Sequence, residues 1–116
     1  MRSLAMAALA GLLVCSTSEA RLRPPTPTQK ARKPATIAVA IEGMRFSPAD
    51  LAVKAGDTIV WTNGDIVAHT VTAKTGAFDS KIIPPDGTWK YVARSKGDFV
   101  YFCSLHQPMT AALKVR

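Results

Sequence analysis

From Ala35 to the C-terminus, apolar and polar residues alternate with a period of two, and helical periodicity is nearly absent. Ile37, Val39 and Ile41 alternate with Thr and Ala, as expected for a strand with one buried face. Further predicted strands, separated by turn signals rich in Gly, Pro, Asn and Asp, are 51–54, 58–62, 69–73, 88–93, 98–103 and 111–115. Short strands at this spacing predict a sandwich or barrel.

A sandwich of residues 35–116 is small, so its two sheets must share one modest core. The predicted core residues are Trp61, Trp89, Phe99, Val100, Tyr101, Phe102, Leu113 and Val115. Alternation allows only half of each strand to point inward. The segment 73–85 is predicted to be a loop, with a short helical turn or an edge strand near 78–83 as alternatives.

The first 20 residues predict a secretory signal peptide. Arg2 is followed by an apolar run over 4–14 that is too short to span a membrane, and Ser18 and Ala20 provide small residues near a cleavage site. We predict cleavage after Ala20. A retained amphipathic or membrane-anchoring segment is the alternative.

The segment 21–34 is basic and rich in proline, which predicts an unfolded tether. Of the net charge of +7, this segment supplies +5 through Arg21, Arg23, Lys30, Arg32 and Lys33. The tether can make weak contact with anionic lipid or an acidic partner, although a solvated spacer is the simpler interpretation. The chain lacks the basic patch interleaved with aromatic residues that is typical of nucleic-acid binding.

Three potential metal ligands follow the apolar run 99–102 at intervals of three residues: Cys103, His106 and Met109. His69 is the only other histidine and supplies a fourth donor. A thiolate, two imidazoles and a thioether favour copper over calcium or magnesium, and the thioether is a poor donor for zinc. Taken singly, each residue is more often simply buried. Together they predict a copper site.

The cysteine count agrees with a metal site. Cys15 is removed with the signal peptide, so the mature chain keeps Cys103 alone and forms no internal disulfide. In an oxidising exported compartment, a bound metal would protect this thiol.

Other functions are less consistent with the sequence. The mature chain has no second Cys for a dinuclear copper centre and no His-x-His pair for the additional coppers of an oxidase, so we predict that it is not an enzyme. A protein for copper delivery or buffering would use similar donors and is the main alternative. A metal-free immunoglobulin-like adhesion module is a third alternative. It would explain the strands, but it would make the spacing of the four donors accidental.

Four stretches resemble the small bacterial cupredoxins, the type 1 blue copper proteins of the amicyanin and plastocyanin kind. They are Lys54–Asn63, His69–Val71, Phe78–Ser80, and Gly97–Cys103 with the loop to Met109. The two residues between Cys103 and His106 and the two between His106 and Met109 are similar to the short amicyanin loop.

The resemblance implies a two-sheet Greek-key β-sandwich over 35–116 that holds one copper ion. His69, Cys103 and His106 would form the trigonal ligand set, with Met109 as a long axial contact. Where family members commonly have Asn after the first histidine, this chain has Thr70, whose hydroxyl must tie the two ligand loops together.

The resemblance also implies a monomeric periplasmic electron carrier that cycles between Cu(I) and Cu(II). Redox partner proteins would dock at an apolar patch around His106. We expect this patch to be formed by Ala68, Leu105 and Pro108, with Met44. Gln107 stands where amicyanin-like loops usually have Pro and makes the patch more polar.

Overall fold

The computed structural model describes residues 32–116 and the single position Gly11. Apart from Gly11, the predicted signal peptide (1–20) and residues 21–31 of the predicted tether lie outside the described residues. The domain boundaries therefore remain predictions. No helix that could span a membrane is found in the described part of the chain.

Residues 32–116 form eight strands arranged in two four-stranded sheets. The strands are β1 (Thr36–Glu42), β2 (Arg45–Ser47), β3 (Asp50–Val53), β4 (Thr58–Asn63), β5 (Thr72–Ala73), β6 (Thr88–Val92), β7 (Gly97–Cys103) and β8 (His106–Val115). One sheet has the order β2-β1-β4-β6 and the other β3-β8-β7-β5. β1 with β4 and β3 with β8 are parallel pairs, whereas the other pairs are antiparallel. The predicted all-β sandwich is confirmed.

The period of two explains which side chains meet between the sheets. In β4, Ile59, Trp61 and Asn63 are buried while their neighbours are more exposed. In β7, Tyr101 and Cys103 are buried in the same way. Successive strand residues point to opposite faces, so the inward positions of each strand form one continuous row. The last inward residue of β4 is Asn63 and that of β7 is Cys103. Both lie at the ends of their strands, where a metal or ligand site can form.

The core is centred on Trp61 and Tyr101, which are both fully buried. The Trp61 indole N–H donates a hydrogen bond of 3.4 Å to the Tyr101 hydroxyl, so the polar ends of both rings are satisfied. Phe46 packs edge-on against Tyr101 with ring centroids 4.8 Å apart.

Half of the predicted core residues are buried, and two of the others show the effect of alternation. Trp61, Tyr101, Leu113 and Val115 are buried, Trp89 and Phe99 pack partly buried against them, Phe102 is half-buried, and Val100 is exposed. Val100 and Phe102 occupy the outward positions of β7.

Most strand boundaries agree with the prediction to within one residue, and there are three larger differences. β2 was not predicted, and β8 begins at His106 instead of Ala111. The predicted strand 69–73 is reduced to β5, because His69 pairs with Ile83 in an isolated bridge instead of extending a strand along β7. The segment 73–85 is therefore a loop that returns to pair with the residues around β5, and it contains no helical turn.

Candidate metal centre

The thiol of Cys103 and the imidazole of His69 face each other at one end of the sandwich. Both side chains are fully buried, at 0% exposure, and Cys103 Sγ lies 3.7 Å from His69 Nδ1. The backbone N–H of Thr70 also points at the sulfur, at 3.3 Å. The sulfur therefore faces an imidazole nitrogen and a backbone N–H.

The separation of these two atoms fits a shared metal ion. Metal–sulfur and metal–nitrogen bonds of about 2.3 Å and about 2.0 Å, at an angle of roughly 110–120°, place the two donors about 3.5–3.7 Å apart. Among residues 32–116, however, no three His, Cys, Asp or Glu side chains stand close enough to hold a metal ion by themselves. His69 and Cys103 are therefore the two candidate ligands whose separation already fits a bound metal ion.

His106 and Met109 border this pair from β8. Cys103 and His106 are opposite residues across a turn of two residues, with a β-bulge between Phe102 and Cys103. The His69 and His106 rings have centroids 5.2 Å apart and meet edge-on. Met109 is buried at the first inward position of β8. The four sequence-predicted donors thus come to one end of the sandwich, with His106 partly exposed at its edge.

The Thr70 hydroxyl connects the segment that carries His69 to the one that carries Cys103. It accepts a hydrogen bond of 2.8 Å from the backbone N–H of Ser104, and its oxygen lies 3.0 Å from the Ser104 hydroxyl. The link expected from the sequence at this position is therefore present.

Asn63 shapes the loop that leads to His69. Its buried side-chain amide donates to the carbonyls of Val67 and Ile83 at 2.9 Å and 3.0 Å, and its oxygen accepts the N–H of Asp65 at 3.0 Å. In the sequence, Asn63 ends one of the stretches that resemble cupredoxins, and no role was predicted for its side chain. Its position as the last inward residue of β4 is the feature that identifies it as a buried, structural side chain.

Asp65 lies next to the candidate site and was not identified from the sequence. Its carboxylate Oδ2 is 2.8 Å from His69 Nε2, on the opposite side of the ring from Cys103. Hydrogen bonds from the Met44 N–H, from His69 and from the Gly43 N–H lower the pKa of Asp65, although partial burial opposes this shift. The only sequence signal was the spacing of four residues between Asp65 and His69.

The surface beside the site is largely apolar. An open depression there is lined by Met44, Leu105, His106, Gln107, Pro108 and Met109. Leu105 and Met44 are exposed, as is Val67, and Ile66 is 94% exposed. Met44, Leu105 and Pro108 were expected here from the sequence, whereas Ile66 and Val67 were not. Ala68, which was also predicted to contribute, is partly buried.

Comparisons with known proteins identify the family and the fold of this chain. The sequence profile of the family described as "Cupredoxin-like domain" matches residues 5–115. The chain belongs to this family. The resemblance expected from the sequence is therefore confirmed.

Individual cupredoxins show the same relationship. Amicyanin from Paracoccus versutus is 31% identical over 86 residues, which cover 69% of this chain and 65% of that amicyanin, just under two thirds of its length. A solved structure of a Cu(I) amicyanin variant superimposes with a TM-score of 0.65 at 23% identity, covering 70% of this chain and 82% of that one. A purple cupredoxin from Nitrosopumilus maritimus gives a TM-score of 0.63 at 23% identity, with coverage of 69% and 99%. These two structures support the fold assignment.

Proposed function

We propose that this cupredoxin is a periplasmic electron carrier with one type 1 copper ion. His69, Cys103 and His106 would provide the three strong ligands, and Met109 would provide the weak axial contact. Bound copper supplies the one-electron chemistry by alternating between Cu(I) and Cu(II). The protein would accept one electron from a reduced partner and pass it to an oxidised one.

The buried pair of Cys103 Sγ and His69 Nδ1, 3.7 Å apart, is the observation that carries this proposal. Soft sulfur and imidazole donors suit copper in both oxidation states. Met109 adds a thioether at an inward position of β8, where a carboxylate would be required for a hard cation. The membership of the chain in the cupredoxin-like family supports the same metal.

Burial favours electron transfer over copper delivery. A delivery site must release its metal to another protein, so its principal ligand has to be reachable. Cys103 and His69 are closed off from solvent, and only His106 reaches the surface. Two packed sheets hold these side chains, and a closely packed interior resists rearrangement when the charge at the site changes.

Redox partners would dock on the apolar surface around His106. Met44, Leu105 and Pro108 form part of this surface, and Ile66 and Val67 are exposed on the loop that leads to His69. Exposed apolar patches are typical of protein interaction sites. Gln107 adds a polar group, which suits a contact that must also dissociate.

The cellular location follows from the predicted signal peptide, and the basic tether would add a weak contact with anionic lipid or an acidic partner. Of the five basic residues in the tether, Arg32 pairs with Asp57 at 2.8 Å. Lys33, the other basic tether residue that the structure describes, is exposed and would be available for such a contact.

The visible spectrum and metal content of the copper-loaded mature protein test the proposal. We expect one copper per chain and an intense absorption in the oxidised form, because charge transfer from a thiolate to Cu(II) is strongly allowed. Reduction should bleach this absorption reversibly. A pale Cu(II) form, or a preparation that retains only Cu(I) and transfers it readily to a chelator, would favour copper delivery. Stoichiometric zinc with no affinity for copper would exclude both functions.

A further inference from the structure

The carboxylate of Asp65 receives three hydrogen bonds from two separate parts of the chain. Oδ1 accepts the Gly43 N–H at 2.7 Å, and Oδ2 accepts the Met44 N–H at 3.0 Å. The third partner is His69 Nε2, which lies 2.8 Å from Oδ2. Asp65 therefore joins the turn between β1 and β2 to the ring of a buried histidine.

The chemistry of a carboxylate fixes the protonation pattern of this ring. An ionised carboxylate only accepts hydrogen bonds, so the proton of a neutral His69 ring resides on Nε2. The lone pair is then on Nδ1, which is the nitrogen that faces Cys103 Sγ. The orientation and the tautomer of His69 are thus both those required to bind a metal beside Cys103.

The turn held by the same carboxylate has an unusual backbone. Gly43 and Met44 both have positive φ values, 58° and 61°, as in a type I′ hairpin turn. Glycine and asparagine adopt this conformation easily, whereas Met44 does so at a cost. Asp65 stabilises it through both N–H groups, and the Met44 side chain lines the depression next to His106 and Met109.

We propose that Asp65 is a positioning residue for the metal centre, which fixes the His69 ring with Nδ1 toward Cys103 and holds the Met44 turn beside the two ligands of β8. This inference rests on the proposed copper site. A hydrogen bond from a carboxylate to a ligating imidazole orients the ring and raises its basicity. Asp65 should therefore increase copper affinity and stabilise Cu(II) relative to Cu(I).

Asp57 provides a matched control, because it makes the same kind of connection at the other end of β4. It accepts two backbone N–H groups, from Ala35 and Lys54, and its third partner is Arg32. A purely structural role for Asp65 predicts that Asp57→Ala and Asp65→Ala have similar consequences. A positioning role predicts that only Asp65→Ala changes the His69 ring and the metal site.

The first experiment is NMR of the metal-free protein with ¹⁵N-labelled histidine. In the wild type and in Asp57→Ala, we expect the His69 ring proton on Nε2, with a slowly exchanging signal. In Asp65→Ala this proton should exchange rapidly and the Nδ1-protonated form should become populated. Asp65→Asn retains one acceptor oxygen and should give an intermediate result. Ring signals in Asp65→Ala identical to those of the wild type would overturn the proposal.

The second experiment measures copper binding and reduction potential in the same four proteins. We expect Asp65→Ala to weaken copper affinity by about 10–100-fold, with a smaller loss in Asp65→Asn and none in Asp57→Ala. The potential should rise in the Asp65 variants because Cu(II) loses stabilisation. Equal affinity and potential in the wild type and Asp65→Ala would refute the positioning role even if the ring signals change.

The two experiments separate this inference from the proposed function. If the wild type itself fails to bind copper, the proposed function fails, and the NMR result still reports whether Asp65 orients the ring. If Asp65→Ala does not fold, the wild-type signal decides: a metal-free His69 ring protonated on Nδ1 would contradict the inference, whereas a protected Nε2 proton would support it.

Discussion

An aspartate at each end of β4 makes the same backbone hydrogen bonds, but the two aspartates have different side-chain partners. Asp57 precedes the strand and Asp65 follows it, and each carboxylate accepts two backbone N–H groups from neighbouring segments. The third partner differs. At one end it is Arg32, whose side chain is 51% exposed, and at the other it is the buried ring of His69.

The end of the sandwich at Asp57 is therefore a structural end, and the end at Asp65, which carries the candidate metal ligands, is a chemical end. A carboxylate paired with an exposed guanidinium adds modest stability, because water screens the charges. A carboxylate bonded to a buried imidazole selects a tautomer and leaves one ring nitrogen facing a thiol. The backbone connections are equivalent, so the identity of the third partner determines what each end can do.

The largest effect should come from Cys103→Ser at the chemical end. We expect this substitution to abolish the intense visible absorption of the copper-loaded protein, because a hydroxyl does not supply thiolate charge transfer. Asp57→Asn should keep the absorption. A Cys103→Ser protein that binds one copper and remains intensely coloured would show that the principal ligand is another residue.

Asn63→Ala should cause the largest loss of stability at the same end. It removes the hydrogen bonds to the Val67 and Ile83 carbonyls and from the Asp65 N–H, and only the Ile83 carbonyl keeps another partner, the His69 N–H. We expect the free energy of unfolding to fall by about 2–4 kcal/mol. Thr62→Ala, on the outward face of the same strand, is the control and should change stability by about 0.5 kcal/mol or less. Denaturant titration compares the two, and equal losses would contradict the role given to Asn63.

Met109→Leu should shift the reduction potential without removing the colour. An axial thioether tunes a type 1 site while the three strong ligands hold the metal. Exchange of Met for Leu conserves volume, so the cost in stability should be below about 1.5 kcal/mol. Voltammetry of the wild type and the variant measures the shift. An unchanged potential would argue against an axial contact from Met109.

Asp57→Asn should reduce the dependence of stability on pH. Hydrogen bonds from the Lys54 and Ala35 N–H groups, together with Arg32, lower the pKa of Asp57 below its ordinary value of 3.8. A carboxyl whose pKa is lower in the folded state stabilises the protein above its unfolded pKa, and this stability is lost as pH falls through the folded pKa. Wild-type Tm should therefore exceed that of the variant at pH 7, and the two should converge below pH of about 4. Parallel curves would contradict this assignment.

Deletion of residues 21–31 should have the smallest effect on the domain. Arg32 remains, so its pair with Asp57 is kept, and we expect the spectrum and Tm to stay unchanged. Binding to anionic vesicles should weaken, and the difference from the wild type should shrink as salt rises above about 0.15 M, where the Debye length is about 8 Å. A clear fall in Tm would show that the segment packs against the domain.

The sequence alone predicted the fold class and the four candidate ligands, because both depend on local patterns. Alternation with a period of two defines the buried face of each strand, and it accounts for the inward positions of Cys103 and Met109. The spacing from Cys103 to Met109 identified three of the candidate ligands, and His69 followed as the only other histidine in the sequence. Neither inference required knowledge of how distant segments meet.

The tertiary structure decided the surroundings of the ligands. β1 and β4 pair in parallel with Ile41 opposite Asn63, so the ends of both strands lie at the same edge of the sheet. This register brings the turn at Gly43 and Met44 against Asp65, more than 20 positions away in the chain. The start of β8 at His106 depends in the same way on its pairing with β7. Such contacts depend on strand register and on a left-handed turn, and the period of two contains no information about either one.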